Sequence, residues 1–277
     1  EFAYCANSAT SALHVACLAL GVGPGDRVWT SPNTFAASAN CALYCGASVD
    51  FVDIDPVSYN MSIEELYRKL ELAEISNSLP KVVIPVHFAG QSCEMDEIAE
   101  LSRRYGFRIL EDASHAIGGK YRNSPIGDCR YSDIAVFSFH PVKVITTGEG
   151  GIALTNDPRL GRAMDLFRNH GITKQPDEMV PRPSEESWGY QQQLLGHNYR
   201  MTDLEAALGL SQLRRLDEFV NKRRAIAEIY DRSLGETEVV IPWQHPDADS
   251  SYHLYPVRLK SRRAGKSQAQ LVATLRD

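Results

Sequence analysis

Two hydrophobic periods alternate along the chain and predict helices and strands in turn. Good helix formers with apolar residues at helical spacing fill stretches such as SATSALHVACLAL and MSIEELYRKLELA. Between such stretches lie short apolar runs that include RVWTS, KVVIPVHF and DIAVFSF. KVVIPVHF is nearly all apolar, which is typical of a strand covered on both faces. This alternation predicts an α/β fold in which helices flank a mostly parallel central sheet.

Small polar residues mark the points where several predicted helices begin. Ser8 precedes the first helix and is a candidate N-cap. The spacing of Ser62 with Glu65, and of Thr202 with Glu205, suits capping boxes. Each cap would give a free N–H group at a helix start a hydrogen-bond acceptor.

The pattern of elements changes in the second half of the chain. From Ile172 to Gln193 the periodicity is lost in a stretch rich in Pro, Glu and Gln, which predicts a long loop. Helical spacing then returns at MTDLEAALGLSQL, and YHLYPVRL predicts a later strand. We therefore divide the chain into a large domain, residues 1–235, and the start of a small C-terminal domain, residues 236–277.

Composition and charge exclude several classes of function. The 277 residues are 43 % hydrophobic and 23 % charged, with a formal net charge of −6. That balance is ordinary for a globular enzyme and does not fit a nucleic-acid or anionic-membrane surface. No apolar run approaches the roughly 20 residues that span a bilayer, and no signal peptide precedes the first element, so we expect a cytoplasmic protein. The six cysteines are scattered without metal-ligand spacing, and we expect no metal site.

The stretch FSFHPVKVITTGEGG places Lys143 just after an apolar run and before a glycine-rich turn. Open α/β sheets bind their ligands at the carboxyl ends of the strands. A lysine in a desolvated setting there has a lowered pKa and becomes a nucleophile. The segment alone also fits an exposed loop lysine. Lys143 is thus our candidate for covalent binding of the aldehyde of pyridoxal phosphate.

A second candidate, Asp112, ends another predicted buried strand in the stretch ILEDASHA. A buried carboxylate is costly without a cationic or hydrogen-bonding partner. The protonated pyridine nitrogen of pyridoxal phosphate is such a partner, and it makes the ring an electron sink. A carboxylate that caps a turn at a strand end is the alternative.

Two further features fit the same cofactor. The small residues of NSATSAL open a helix, where free N–H groups and the helix dipole favour a phosphate. Ser138, which precedes Lys143 by five residues, offers a hydroxyl to the same phosphate. Phe35, in SPNTFAAS, is placed to stack on a flat heterocycle. An ordinary N-cap and a buried core phenylalanine are the alternatives.

A set of motifs in fixed order gives these candidates a family context. They are SATSALHVA, PNTFAA, EDASHAIGG, FSFHPVK followed by TTGEGG, RNHGI, NYRMTD and HLYPV. From the first residue to about Val257 the chain resembles the DegT/DnrJ/EryC1/StrS family of nucleotide-sugar aminotransferases. The resemblance implies a pyridoxal phosphate enzyme of the aspartate-aminotransferase fold (fold type I) that acts as a homodimer with an active site shared between subunits.

The resemblance also implies a role for each candidate residue. Lys143 would bind the cofactor covalently and act as general acid and base, Asp112 would hold the pyridine nitrogen, and His115 would lie beside the ring oxygen. The remaining cofactor contacts would be stacking by Phe35, phosphate binding by the backbone of Ala9 and Thr10 with Ser138, and a phosphate contact by Asn198 of the partner subunit.

Within the family, the motifs SAT, HFAGQSCEMDEI, SFHPVK and RNHGI are most similar to enzymes of pseudaminic-acid biosynthesis. This implies transfer of an amino group from glutamate to carbon 4 of a UDP-linked 4-keto-6-deoxy-N-acetylhexosamine. Two departures stand out. Ala9 replaces the usual glycine, and family members begin some tens of residues earlier and continue well past HLYPV. We therefore expect the N-terminal segment and most of the small domain to be missing from this chain.

Several alternatives remain open at this stage. One is amination of another 4-keto or 3-keto sugar nucleotide, such as the precursor of 4-amino-4-deoxy-arabinose in lipid A. A sugar dehydratase of the same fold is a second, although relatives of that kind carry His where Lys143 stands. A non-catalytic relative is a third. A Rossmann-type NAD oxidoreductase would need GxGxxG directly after the first strand, whereas LGVGPGD follows a helix.

Overall fold

The structure, a computed structural model, describes residues 2–180, 188–260 and 268–276. Its strands are β1 (Phe2–Ala6), β2 (Arg27–Thr30), β3 (Ser48–Phe51), β4 (Val82–Ile84), β5 (Arg108–Asp112), β6 (Lys120–Tyr121), β7 (Ser124–Pro125), β8 (Ile134–Ser138), β9 (Gly151–Thr155), β10 (Ile172–Thr173), β11 (Gln191–Gln192), β12 (Val239–Val240), β13 (Ala248–Asp249) and β14 (Arg258–Leu259). Its helices are α1 (Ala9–Ala19), α2 (Ala37–Tyr44), α3 (Ile63–Ile75), α4 (Met95–Tyr105), α5 (Pro158–Arg168), α6 (Asp203–Leu213), α7 (Leu216–Leu234) and α8 (Gln268–Arg276).

A seven-stranded sheet forms the centre, with strands in the order β1-β9-β8-β5-β4-β2-β3. The pairs from β8 to β3 are parallel, and β9 pairs antiparallel with both β8 and β1 at one edge. The prediction of a mostly parallel sheet flanked by helices is therefore confirmed. Because the central strands are parallel, their carboxyl ends meet at one edge of the sheet, where α/β folds bind ligands.

Helices cover both faces of this sheet. On one face, α1, α2 and α5 pack against side chains such as Leu110 and Val136. On the other face, α3 and α4 pack against Val83 and Ile109. Successive residues of a strand point to opposite faces, so β4 and β5 contribute to both cores. Burial on both faces explains why the central strands are almost continuously apolar in sequence.

The predicted caps form where the sequence places them. Ser8 accepts the N–H of Ser11 at the start of α1. Ser62 accepts the N–H of Glu65 at the start of α3. At α6 the capping box is complete, with Thr202 and Glu205 bonding reciprocally. These bonds satisfy N–H groups that lack an acceptor within their own helix, which fixes where each helix begins.

Two predictions for the second half of the chain need correction. The stretch from Ile172 to Gln193 is not wholly a loop, since β10 and β11 pair antiparallel at its two ends; residues 181–187 lie outside the described part. The strand predicted over YHLYPVRL is shorter than expected, because within this stretch strand pairing is confined to its last two residues, β14, whose partner is β12. The domain boundary at residue 235 stays a prediction. None of the helices in the described part of the chain is long and apolar enough to cross a membrane.

Candidate active site

The parallel register of β5 and β8 brings Asp112 and Lys143 to one edge of the sheet. Asp112 is paired with Val136, and β8 ends five residues before Lys143 at Ser138. Lys143 is half-buried in the turn that follows. Burial lowers the pKa of this lysine, and attraction to the Asp112 carboxylate opposes the effect in part. The two predicted residues therefore lie within electrostatic reach, and the amine is more readily deprotonated than an exposed lysine.

Two serine hydroxyls hold the Asp112 carboxylate. The Ser38 hydroxyl donates to Oδ2 at 2.6 Å, and the Ser114 hydroxyl donates to Oδ1 at 2.5 Å. The Ser114 N–H also donates to Oδ1, at 3.1 Å. Asp112 is only 4 % exposed, yet no salt bridge reaches it from residues in the described ranges. A buried carboxylate held by neutral donors suits a cationic ligand group, as the sequence analysis predicted.

His115 is held next to this pair as a neutral imidazole. The backbone N–H of Ala89 donates to its Nδ1 at 3.3 Å, so Nε2 is the nitrogen that carries the hydrogen. Ala89 makes this bond from a left-handed conformation, with φ of 60°. Burial and the charge of Lys143 lower the pKa of His115 to about 4. His115 can therefore donate a hydrogen bond without carrying a charge.

His253 completes the cluster and had no predicted role. Its ring centroid lies 4.4 Å from that of His115. Burial, His115 and Lys143 together lower the pKa of His253 to about 3. Its Nδ1 is buried without a hydrogen-bond partner among the residues described here. Such an atom is costly in a finished core, which indicates that this pocket is shaped for a polar ligand.

The first turn of α1 meets the same edge of the sheet. Gly151 is the ladder partner of Ser138, and a Cβ at Gly151 would overlap the backbone of Ala9. Because Ser8 caps the N–H of Ser11, the N–H groups of Ala9 and Thr10 lie ahead of the first intrahelical bonds. Ala9 and Ser138 therefore both adjoin Gly151, an arrangement that suits the predicted phosphate site.

The last two predicted residues differ in how near they lie to this cluster. Phe35 lies just before α2, its carbonyl accepts the N–H of Ser38, and its ring is 75 % exposed. An exposed ring so close to Ser38 and Asp112 is free to cover a ligand. Asn198 is exposed and forms an isolated bridge with Asn169. The structure does not bring Asn198 to the Asp112–Lys143 cluster, and its contact across a subunit boundary stays a prediction.

The residues present fit pyridoxal phosphate. The site combines an amine of lowered pKa, a buried carboxylate without a cationic partner in direct contact, a neutral imidazole donor and a helix N-terminus. Nδ1 of His253, which has no hydrogen-bond partner in the described part of the chain, adds a polar atom to the pocket. The described residues contain no group of three or more His, Cys, Asp and Glu that could hold a metal ion.

A cleft opens beside the cluster. Its volume is about 440 Å³, and its lining includes Asn33, Tyr59, Phe88 and Arg258. The Phe88 ring lies 6.2 Å from His115, which connects the cleft to the site. Arg258 stands over the Tyr59 ring at 5.6 Å. This volume is within the range typical of small-molecule pockets.

Ser38 and Ser114 were not predicted as partners of Asp112. The contact of Ser114 could have been predicted from its position, because an Asp side chain commonly forms a local hydrogen bond with the residue two positions later. The contact of Ser38 could not, since Ser38 is 74 positions away along the chain and meets Asp112 only through packing of α2 against the sheet.

Comparison with known proteins places this site in a family context. A sequence model of the DegT/DnrJ/EryC1/StrS aminotransferase family matches residues 1–277. The chain is 41 % identical over 255 residues to the UDP-4-amino-4,6-dideoxy-N-acetyl-beta-L-altrosamine transaminase of Campylobacter jejuni subsp. jejuni serotype O:23/36, covering 91 % of this chain and 63 % of that protein. It is 38 % identical over 261 residues to the GDP-perosamine synthase of Caulobacter vibrioides, covering 94 % and 65 %.

A solved structure agrees with these relatives. The Helicobacter pylori PseC structure, an aminotransferase involved in the biosynthesis of pseudoaminic acid, superposes with a TM-score of 0.87 at 31 % identity. That superposition covers 100 % of this chain and 70 % of the other. The chain thus spans about two thirds of the length of each of these proteins.

Proposed function

The chain belongs to the DegT/DnrJ/EryC1/StrS aminotransferase family, whose members are pyridoxal phosphate-dependent sugar aminotransferases, and from this premise we propose its substrates and the roles of its residues. The proposed reaction moves an amino group from glutamate to carbon 4 of a UDP-linked 4-keto-6-deoxy-N-acetylhexosamine. The similarity to the altrosamine transaminase and to PseC supports this choice.

In the proposed site, the chain would contact the cofactor at five points. Lys143 Nζ would bind its aldehyde covalently, which the lowered pKa of this amine favours. The carboxylate of Asp112 would hold a proton on the ring nitrogen, and Nε2–H of His115 would donate to the ring oxygen. The N–H groups of Ala9 and Thr10 with the Ser138 hydroxyl would bind the phosphate, and Phe35 would cover one face of the ring.

Lys143 would also move the proton in the reaction. Pyridoxal phosphate supplies, when bound, an aldehyde that takes up amines and a ring that accepts an electron pair. With the cofactor bound, Nζ of Lys143, an amine of lowered pKa, would accept the proton from the α-carbon of glutamate. Asp112 would hold the positive charge at the ring nitrogen. His115 stays neutral and only orients the ring, because its pKa of about 4 lies far below neutrality.

One observation carries the proposal: Lys143 and Asp112 lie within electrostatic reach at the carboxyl ends of neighbouring parallel strands. Borohydride reduction of the protein loaded with pyridoxal phosphate, followed by peptide mapping, tests it. We expect the reduced cofactor on Lys143. A label on another lysine, or a protein that instead binds NAD, would contradict the proposal.

A second sugar deserves a parallel assay. The 38 % identity to GDP-perosamine synthase favours a 4-amino sugar on GDP as the alternative product. Incubation with glutamate and either the UDP-linked 4-keto-6-deoxy-N-acetylhexosamine or the keto precursor of GDP-perosamine separates the two. We expect the higher kcat/KM with the UDP sugar. A preference for the GDP sugar would replace our substrate and leave the aminotransferase assignment intact.

The cleft lined by Asn33, Phe88 and Arg258 is the proposed entrance for the sugar nucleotide. Arg258 would meet the diphosphate, since a guanidinium is suited to bidentate contacts with phosphate oxygens. An Arg258→Ala variant should raise KM for the sugar nucleotide about tenfold and leave KM for glutamate unchanged. Equal effects on both substrates would remove Arg258 from this role.

We further propose that the chain acts as a homodimer through α6. This helix has no buried residue, and its leucines are exposed, for example Leu204 at 86 % and Leu210 at 63 %. A helix with so much exposed apolar surface normally packs against a partner. Multi-angle light scattering should show a dimer for the parent protein and a monomer for Leu210→Glu. Leu72→Glu, at an equally exposed leucine of α3, is the matched control.

A further inference from the structure

Ser38 is the one residue of α2 that reaches the functional carboxylate. Its hydroxyl is fully buried and lies 2.6 Å from Asp112 Oδ2. The Thr34 hydroxyl lies 2.6 Å from Ser38 on the other side, so the serine hydroxyl belongs to a short chain of hydrogen bonds. A hydrogen bond to a carboxylate oxygen at this distance is charge-assisted and stronger than a neutral pair.

The position of Ser38 couples two parts of the site. Phe35 and Ser38 lie one turn apart at the start of α2, and the Phe35 carbonyl accepts the N–H of Ser38. Asp112 belongs to β5, and the backbone hydrogen bonds of α2 do not involve that strand. The hydroxyl of Ser38 is therefore the direct polar link from the helix that presents Phe35 to the carboxylate.

We propose that Ser38 is a positioning residue for this reaction: it fixes Asp112 Oδ2 so that the carboxylate stays aligned with the ring nitrogen of the cofactor. Ser114 fixes the other oxygen, so the two serines leave the carboxylate little freedom to rotate. Neither serine would contact the reacting atoms. The inference rests on the role proposed above for Asp112 and is independent of which sugar is the substrate.

The test compares Ser38→Ala and Ser38→Thr with the parent protein, each loaded with pyridoxal phosphate. Loss of one charge-assisted hydrogen bond should weaken cofactor binding about tenfold. The pH at which the visible absorbance of the bound cofactor changes should rise by about one unit, because a less firmly protonated ring nitrogen withdraws less charge from the chromophore. In Ser38→Ala, kcat should fall about tenfold with KM unchanged, and Ser38→Thr, which keeps the hydroxyl, should restore all three values.

Controls separate positioning from stability. Thr155→Val removes another buried hydroxyl, which bonds the Asp133 carbonyl at 2.7 Å at the opposite edge of the sheet. It should lower the unfolding free energy as Ser38→Ala does and leave the absorbance transition unchanged. Ser114→Ala removes the hydroxyl bonded to the other oxygen of the same carboxylate. Its absorbance transition can be measured even if a substitution within the tightly packed α2 prevents folding.

Two results would overturn the inference. If Asp112→Asn moves the absorbance transition while neither Ser38→Ala nor Ser114→Ala does, the serines are structural and the role of Asp112 stands. If Asp112→Asn also leaves the transition unchanged, the proposed role of Asp112 is wrong and the inference falls with it. A shift in both serine variants, absent from Thr155→Val, would establish it.

Discussion

Glu111 and Asp112 are consecutive residues of β5, each only 4 % exposed, and they point to opposite faces of the sheet. Glu111 Oε2 meets Nε2 of His87 at 2.9 Å, and its other oxygen accepts the hydroxyl of Ser132. Asp112 is bonded by serine hydroxyls instead, with no basic group in direct contact within the described chain. One face, which we call the closed face, holds the completed acid–base pair of Glu111 and His87. The other, the open face, holds the Asp112 carboxylate, which still suits a cation.

The histidines on the two faces repeat the contrast. Each accepts a backbone N–H at Nδ1, His87 from Cys93 and His115 from Ala89, so each carries its hydrogen on Nε2. The Nε2 of His87 is bonded to Glu111 inside the protein. His115 instead packs against His253, whose Nδ1 lacks a partner within the described chain. Nε2 of His87 therefore stabilises the fold through its bond to Glu111, whereas Nε2 of His115 remains available to a ligand.

The largest effect should come from Lys143→Arg, which removes the amine from the open face and leaves the Glu111 face intact. An arginine stays protonated and cannot act as the nucleophile or base. We expect turnover with glutamate and keto sugar to fall at least about a thousandfold. Borohydride should no longer attach the cofactor covalently, whereas Lys120→Arg, at an exposed lysine of β6, should behave like the parent. A variant at position 143 that still transaminates would disprove the role.

Asp112→Asn should be next in size. The amide keeps the shape of Asp112, but its NH2 group cannot accept one of the two serine hydroxyls and the side chain cannot balance a positive charge on the ring nitrogen. We expect kcat to fall about a hundredfold or more, with the fold retained. Stopped-flow measurement of the half-reaction with glutamate alone checks this without the sugar. A loss confined to the sugar half-reaction would contradict the comparison between the two carboxylates.

Glu111→Gln is the matched test on the closed face. The change removes the charge that faces His87 and Ser132, so the unfolding free energy should drop by about 2 kcal/mol, the typical cost of weakening a buried charged hydrogen-bond pair. The kcat should stay within about twofold of the parent value. Urea unfolding and the glutamate half-reaction measure the two quantities. A large loss of kcat without loss of stability would show that the two faces are not distinct.

The central strands and the placement of Asp112 and Lys143 were predictable from the sequence. Apolar runs predicted the central strands, and the position of Asp112 after one run and Lys143 after another predicted their convergence, because parallel strands end at a common edge. The edge strand β1 escaped prediction, since FAYCA is short and its antiparallel partner β9 lies about 150 positions further on. Local signals alone cannot specify such a pairing.

The polar partners were less predictable than the chemical groups. Residues 111 and 112 read alike as E and D at a strand end, and nothing nearby distinguishes the structural carboxylate from the functional one. The difference lies in His87 and Ser38, which reach β5 from distant segments through packing. A sequence therefore indicates which side chains reach the sheet edge, whereas the partners that fix their charge emerge only from tertiary structure.

The smallest effect should appear in the pH dependence of stability on the open face. His115 is neutral in the folded protein because burial and Lys143 lower its pKa to about 4, while the unfolded chain takes up a proton on this residue near pH 6.5. The unfolded state thus binds more protons between these values, and stability falls as the pH is lowered from 7 to 5. In His115→Gln this contribution vanishes, so the loss of unfolding free energy between pH 7 and 5.5 should be about 1 kcal/mol smaller than in the parent. Urea unfolding of the cofactor-free protein measures it, and His140→Gln, at a half-exposed histidine, should match the parent. Identical pH dependence in parent and His115→Gln would mean that His115 is as free to charge in the fold as in the unfolded chain, and the neutral donor on the open face would have to be abandoned.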